Sequence, residues 1–295
     1  MICWTSHRIR GAASLAGALA LAAATGHARP AAAPAPLALV VCAPGSPGTT
    51  DEARTRMDAF ATAVSTRAGI RIAASYEPSE DACVDQLGSA ALGLVSLPFF
   101  LAHEHELGLV PRLQAVTRGR PALDRWALIA ARGRIAGRNA GRNAGSSALA
   151  GYTIVSSAAY APAFVRGVVL GGFGALPADV KLEQSTAVLS ALRRAASGEP
   201  VAVVLDGTQQ AQLAALPFAS RLQVVAQSPP VPAALAVTVA ARVPAEAWGR
   251  IERGLVALSS DRAATPVLGA IEIARFDPVD GGALARARRA FAGAR

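Results

Sequence analysis

The chain is poor in the residues that most often carry chemistry. Of its 295 residues three are cysteine and four histidine, lysine occurs once, at Lys181, and aromatics make up 5%. Two histidines, His7 and His27, fall near the start, leaving His103 and His105 for the remainder. A GxSxG nucleophile turn, a Walker loop and a dinucleotide fingerprint are all missing, so the usual hydrolase, nucleotide-hydrolysing and dehydrogenase signatures are excluded. His103-Glu104-His105-Glu106 gathers potential metal ligands. Residues two apart on a helix point to different faces, however, and zinc-ligand spacings are absent. A solvated helix end accounts for this stretch, and neither an enzyme nor a cofactor is expected.

Acidic residues are also in short supply, 20 against 29 basic ones, for a formal charge of +9. The excess is built from scattered arginines without a basic run or interleaved aromatics, which gives no support to nucleic-acid binding. It reads as a solvated basic surface, with attraction of anionic solutes as a second effect. Beyond the N-terminus no run is long and apolar enough to span a bilayer, which takes roughly 20 residues.

What is present begins with the anatomy of a secretory signal peptide over residues 1–28. His7, Arg8 and Arg10 are its basic start, 12–24 its apolar centre, and Gly26-His27-Ala28 its small-residue cleavage site. Cleavage after Ala28 is expected, with an uncleaved anchor as the alternative. Cys3 leaves with that segment, and no cysteine stands at the cleavage point to accept a lipid. Residues 29–36 read as a disordered leader. The remaining chain, about 265 residues, can bury a sizeable core in one large domain or two lobes. Export to an oxidising compartment would let Cys42 and Cys83 pair, because both are expected at the carboxyl edge of a parallel sheet. Two small buried hydrophobes are the alternative.

From Leu37 onward strand-like and helix-like runs alternate, the pattern of sheets covered by helices. A strand over 37–42 precedes a helix over 51–68, with Thr49 and Glu52 spaced as a capping box and Met57, Phe60 and Val64 on its buried face. Strands follow at 70–75, 92–97, 109–116, 126–131, 152–156, 180–182 and 201–205. Helices are expected at 81–89, after Pro98, and over 162–170 and 186–196. Trp248, Ile251, Leu255 and Leu258 give the last long helix an apolar stripe. The tandem repeat over 136–145, AGRNAGRNAG, has neither bulk nor apolar period and reads as a surface insertion. The phosphate-cradling alternative lacks the lysine and Ser/Thr-helix pattern it needs. In 222–240 two apolar runs flank Ser228-Pro229-Pro230, whose prolines hold the chain extended, so it crosses between two bodies instead of turning back. The expected organisation is a first lobe from 37–120 and 229–295, with a second lobe, 121–228, inserted, and a cleft that closes by hinge motion.

Three stretches carry a family resemblance: 73–77 with 92–98 (AASYE, then LGLVSLP), 189–206 (LSALRRAASGEPVAVVLD), and 226–232 with the Phe276-Asp277-Pro278 tail. Together they resemble the phosphate, phosphite and phosphonate substrate-binding proteins of ABC transporters. The resemblance implies an α/β fold of the type 2 periplasmic binding class, with two lobes each built on a mainly parallel sheet. It implies a periplasmic monomer that delivers a small anionic or zwitterionic solute to an inner-membrane permease. That family's anion site is a Ser/Thr-rich turn at a helix start, here Ser156, Ser157, Ala158, Ala159 and Tyr160. Ala158 and Ala159 replace hydroxyl donors, each loss removing about 1.5–3 kcal/mol. Tyr76 and Asp206 match positions facing the cleft, Asp206 as partner for an ammonium group or as a helix N-cap, Tyr76 as ligand contact or half-buried strand end. Pro98 and Phe99 open the next helix at the cleft, where free amides meet a ligand or the ring packs beneath the surface. A sensor or interaction protein that kept the lobes and lost transport is the second reading.

Overall fold

A computed structural model describes residues 35–46, 48–135 and 144–295. The signal peptide, most of the leader and residues 136–143 of the repeat lie outside the described residues. No described helix is long and apolar enough to cross a membrane.

Residues Ala35–Arg295 form one compact unit built on two sheets. In chain order the elements are β1 (Leu37–Cys42), α1 (Thr50–Ala68), β2 (Ile72–Glu77), α2 (Glu80–Leu87), β3 (Leu92–Ser96), α3 (Leu97–His103) and β4 (Leu109–Thr117). Next come β5 (Ala127–Ala131), α4 (Ala144–Ser147), β6 (Thr153–Ser156), a π-helical turn (Phe164–Val169), β7 (Lys181–Gln184), α5 (Val188–Ala196) and β8 (Val201–Leu205). The last are α6 (Gly207–Leu213), β9 (Leu222–Gln227), β10 (Ala234–Val239), α7 (Ala245–Leu258), α8 (Thr265–Ala270), β11 (Ile273–Pro278) and α9 (Gly281–Ala292). The first sheet runs β11-β4-β10-β3-β1-β2 and the second β7-β6-β8-β5-β9.

Both sheets are mixed, where mainly parallel ones were expected. β10 lies antiparallel between β3 and β4, and β5 antiparallel between β8 and β9. The cause is the connectivity: β4 runs into β5 and β9 into β10 directly, without the helical crossover that a parallel neighbour needs. These two direct connections, placed where the hinge was expected, cross between the sheets and pair with each other. Asp124 and Val231 exchange backbone hydrogen bonds of 2.8 and 2.9 Å, and Ser228 N–H donates to Trp126 O at 2.8 Å. Pro229 and Pro230 lack N–H groups, so they fit only beside such a narrow ladder.

Local signals behave as physics requires. Thr49 and Glu52 close a reciprocal capping box on α1, whose face of Met57, Phe60 and Val64 is buried, and Gly69 ends the helix in the left-handed region. The stripe of α7 is likewise buried. Ala144 and Gly145, expected within the surface insertion, instead begin the short turn α4. A continuous apolar body joins the lobes: Val40, Leu87 and Phe100 from the first, Leu128, Phe164 and Val204 from the second, and Leu284 and Phe291 of α9.

Candidate functional site

The carboxyl ends of β1, β3, β6 and β8 converge where the two lobes face each other. After β6, the Ser156 hydroxyl is wholly buried; it donates to Val204 O at 3.2 Å and accepts from Ala158 N–H at 3.2 Å. That hydroxyl holds the turn in shape and is not a free donor. Ser157 is buried, and its hydroxyl has no hydrogen-bond partner among the described residues. Ala158 and Ala159 are buried as well. The helix expected over 162–170 is present at 162–169, opening with two α-helical residues and continuing as a π-helical turn over Phe164–Val169.

Two contacts close the lobes over this turn. Gly45, in the loop after β1 with φ of 78°, lies so near Ser157 that a Cβ on it would sit 2.2 Å from the Ser157 carbonyl oxygen. Tyr160 Oη and Ser96 Oγ, from opposite lobes, are 3.1 Å apart. Burial pushes the Tyr160 phenol well above its ordinary pKa, and the Ser96 contact offsets this in part. Neither Gly45 nor Ser96 stood out in the sequence. The glycine-rich loop 43–48 after the first strand was the available signal for Gly45, and Ser96 lies inside the LGLVSLP pattern one residue before its helix.

The other expected residues divide. Tyr76, half-buried on β2, has its phenol raised by burial, while Arg56 and a hydrogen bond with Ser46 pull it back. Pro98 occupies the first turn of α3. Of the two roles open to Phe99 the structure shows packing: its ring is wholly buried in the core, its centroid 4.6 Å from that of the His103 ring. His103 is in turn held by Glu80 at 2.8 Å and Glu106 at 3.1 Å.

Asp206 caps α6: its carboxylate accepts from Gln209 N–H at 2.8 Å and the Gln209 side chain accepts from Asp206 N–H at 3.1 Å. Beside it stands a residue the sequence reading passed over, Asp124, buried and bonded to Arg120 at 2.7 Å. A Cβ on Gly207 would fall 2.0 Å from the Asp124 carboxylate, so only glycine admits it there. Burial first, and the Asp124 charge next among the raising effects, lift Asp206 above the usual aspartate value against the pull of the Gln209 and Thr208 amides and Arg120. Burial and the second carboxylate nearby both disfavour the charged form of Asp206.

Cys42 and Cys83 are buried thiols in this structure. Cys83 is a near neighbour of Cys42, and its Sγ donates to Glu77 O at 3.4 Å. Burial, then Cys83, pushes the Cys42 thiol far above its ordinary range.

No family model matches the chain, and no curated protein matches its sequence. Solved structures do match in shape. XAC2383 from Xanthomonas citri, bound to ATP, superposes with a TM-score of 0.65 at 17% identity, over 87% of this chain and 96% of its own. The binding-protein component of an ABC phosphonate transporter from Pseudomonas aeruginosa gives 0.58 at 12%, over 84% and 83%. PhnD1 from Prochlorococcus marinus, in complex with methylphosphonate, gives 0.58 at 13%, over 85% and 95%. The chain therefore has the type 2 periplasmic binding fold, two mixed sheets flanked by helices and joined by a double-stranded hinge.

Proposed function

We propose that this chain is an extracytoplasmic solute-binding protein that takes a small oxyanion or zwitterion between its lobes and hands it to an ABC permease. It acts as a monomer, without catalysis or cofactor, after export behind a cleaved signal peptide. One observation carries the reading: polar groups from both sheets, Ser96 and Tyr160 with the Gly45 and Ser157 backbones, meet across a hinge, so opening the lobes uncovers them together. Phosphonate-binding proteins of the same fold support the solute class. Asp206 and Asp124 favour a ligand with an ammonium group, such as an aminoalkylphosphonate. A second reading, a sensor or interaction protein of the same fold, draws on the Ser156 hydroxyl being consumed internally and on the apolar body that joins the lobes, since large apolar interfaces resist domain motion.

The test is a thermal-shift screen of phosphate, phosphite, alkylphosphonates, aminoalkylphosphonates, sulfonates and ATP, followed by calorimetry on Ser157→Ala and Asp206→Asn. A cleft ligand at about 100 times its Kd stabilises the fold by about 2.7 kcal/mol. Binding of the amine-bearing compounds is expected, and expected to fall in Asp206→Asn. Folded, ligand-free protein that responds to none of them ends the carrier reading and leaves the sensor.

A further inference from the structure

Away from the cleft lies a groove of about 610 Å³ at the junction of three stretches: residues 166–176 of the π-helical turn and the loop after it, the hinge return at Pro229 and Val231, and α9 with its tail. Its charged lining is Arg166, Arg286 and Arg289, and no aspartate or glutamate lines it. None of the three guanidinium groups has a hydrogen bond or ion pair among the described residues. Other arginines of the same C-terminal stretch behave differently. Arg288 is bonded to Glu104 and lies over the Phe100 ring, and Arg295 reaches the Leu101 and Ala102 carbonyls. Asp280, at the start of α9, has its carboxylate on Ala283 N–H at 2.8 Å. Arginines that pack against the first lobe have protein partners, while those that rim the groove have none among the described residues.

Three exposed guanidinium groups line one groove, and an anion that engages several of them takes paired, charge-assisted hydrogen bonds from each. The volume is that of an organic ligand site, roughly 300–1,000 Å³, and far exceeds one phosphate. Leu176 and Val231 add apolar walls suited to a planar or hydrocarbon body. We propose that this groove is a second anion site, which takes an organic molecule bearing two or more phosphoryl groups, of nucleoside diphosphate size. Because Arg166 follows β6 while α9 is tied to the first lobe through Glu104, a bound polyanion bridges the two sides of the junction and resists their separation.

The inference does not rest on a ligand in the cleft. Calorimetric titration of the full mature chain with ADP, pyrophosphate and inorganic phosphate tests it, in wild type, Arg166→Gln, Arg286→Ala/Arg289→Ala and Ser157→Ala. ADP is expected to bind, with pyrophosphate weaker and phosphate weakest. Kd should rise at least tenfold in the double variant and about fivefold in Arg166→Gln, and stay within twofold in Ser157→Ala, with circular dichroism unchanged throughout. Should the double variant misfold, Arg166→Gln decides alone. No heat from ADP or pyrophosphate at millimolar concentration overturns the site. So does ADP binding lost in Ser157→Ala and kept in the arginine variants, which puts the nucleotide in the cleft. A blank phosphonate screen beside arginine-dependent ADP binding sinks the cleft reading and leaves this one standing.

Discussion

In the cleft, Ser156 is spent on Val204 and Ala158, Ser96 meets Tyr160, and Asp206 caps its own helix. In the groove, three guanidinium groups have no hydrogen-bond or ion-pair partner among the described residues. A buried polar group left unpaired costs about 1–3 kcal/mol, so the closed cleft satisfies most of its own donors, the Ser157 hydroxyl excepted. A cleft ligand has to replace those bonds and draws its specificity from doing so. A groove ligand replaces only water, is less selective and is weakened by salt. The two regions thus call for different experiments: steric and hydrogen-bond changes in the cleft, charge changes in the groove.

The most severe way to break the cleft is Gly45→Val. The side chain would meet the Ser157 backbone, and a β-branched residue is also forced into a left-handed conformation that costs about 1–2 kcal/mol. The expected outcome is a chain that folds but cannot close. Small-angle scattering should report a larger radius of gyration than wild type, and any cleft ligand should bind at least a hundredfold more weakly. An unchanged radius with unchanged binding would show that the Gly45–Ser157 approach does not govern closure. ADP binding in the groove should change less than cleft binding in the same variant.

Next in size is the thiol pair beneath Tyr160. Burial keeps Cys42 protonated and so slow to react once the chain has folded. Oxidation is expected during export, before burial is complete. A disulfide there closes a loop between β1 and α2 and stabilises the fold by about 3–4 kcal/mol. Mass analysis after alkylation under denaturing, non-reducing conditions should show no free thiol in exported protein, and the oxidised form should melt higher than Cys42→Ala/Cys83→Ala. Two alkylated cysteines would refute the pairing. The bond would stiffen the first-lobe wall of the cleft and leave the groove untouched.

Much of the fold was legible because its signals are local. Apolar runs marked the strands, Thr49 and Glu52 marked the start of α1, and Pro229-Pro230 marked the crossing between bodies. The mixed character of the sheets was not legible, since antiparallel insertion of β10 and β5 follows from which runs connect without a helix. Ser156 is the plainest case at the site: a serine in a turn reads alike whether its hydroxyl faces a ligand or the Val204 carbonyl. Phe99 sits next to Pro98 in sequence, yet its ring turns into the core. The groove is a long-range product. Arg166 meets α9 because Gly167 lets the helix come so near that a Cβ would lie 2.1 Å from the Ala290 carbonyl oxygen, and nothing in the local pattern at 164–169 announces that contact.

The smallest effect, and the finest test of the cleft, lies at Asp206. Its carboxyl is raised above the ordinary aspartate value chiefly by burial, with the Asp124 charge adding to it. The folded state then holds the proton more tightly than the unfolded state does, so ν_U is below ν_N in the window between the ordinary value and the raised one, and stability falls as pH rises through that window. Above it, the charged carboxylate carries a constant cost that the cap to Gln209 N–H partly offsets. Asp206→Asn keeps a good N-cap and removes the charge, so at neutral pH it should be as stable as wild type or more so, with a flatter pH profile. Asp206→Ala loses the cap as well and should fall about 1 kcal/mol below Asp206→Asn. Urea melts of all three at about pH 4, 5.5 and 7 decide it. A less stable Asp206→Asn at neutral pH, with wild type gaining stability as pH rises, would mean that Arg120 pairs with Asp206 strongly enough to demand the charge; the carboxylate would then not be free to select an ammonium group in the cleft.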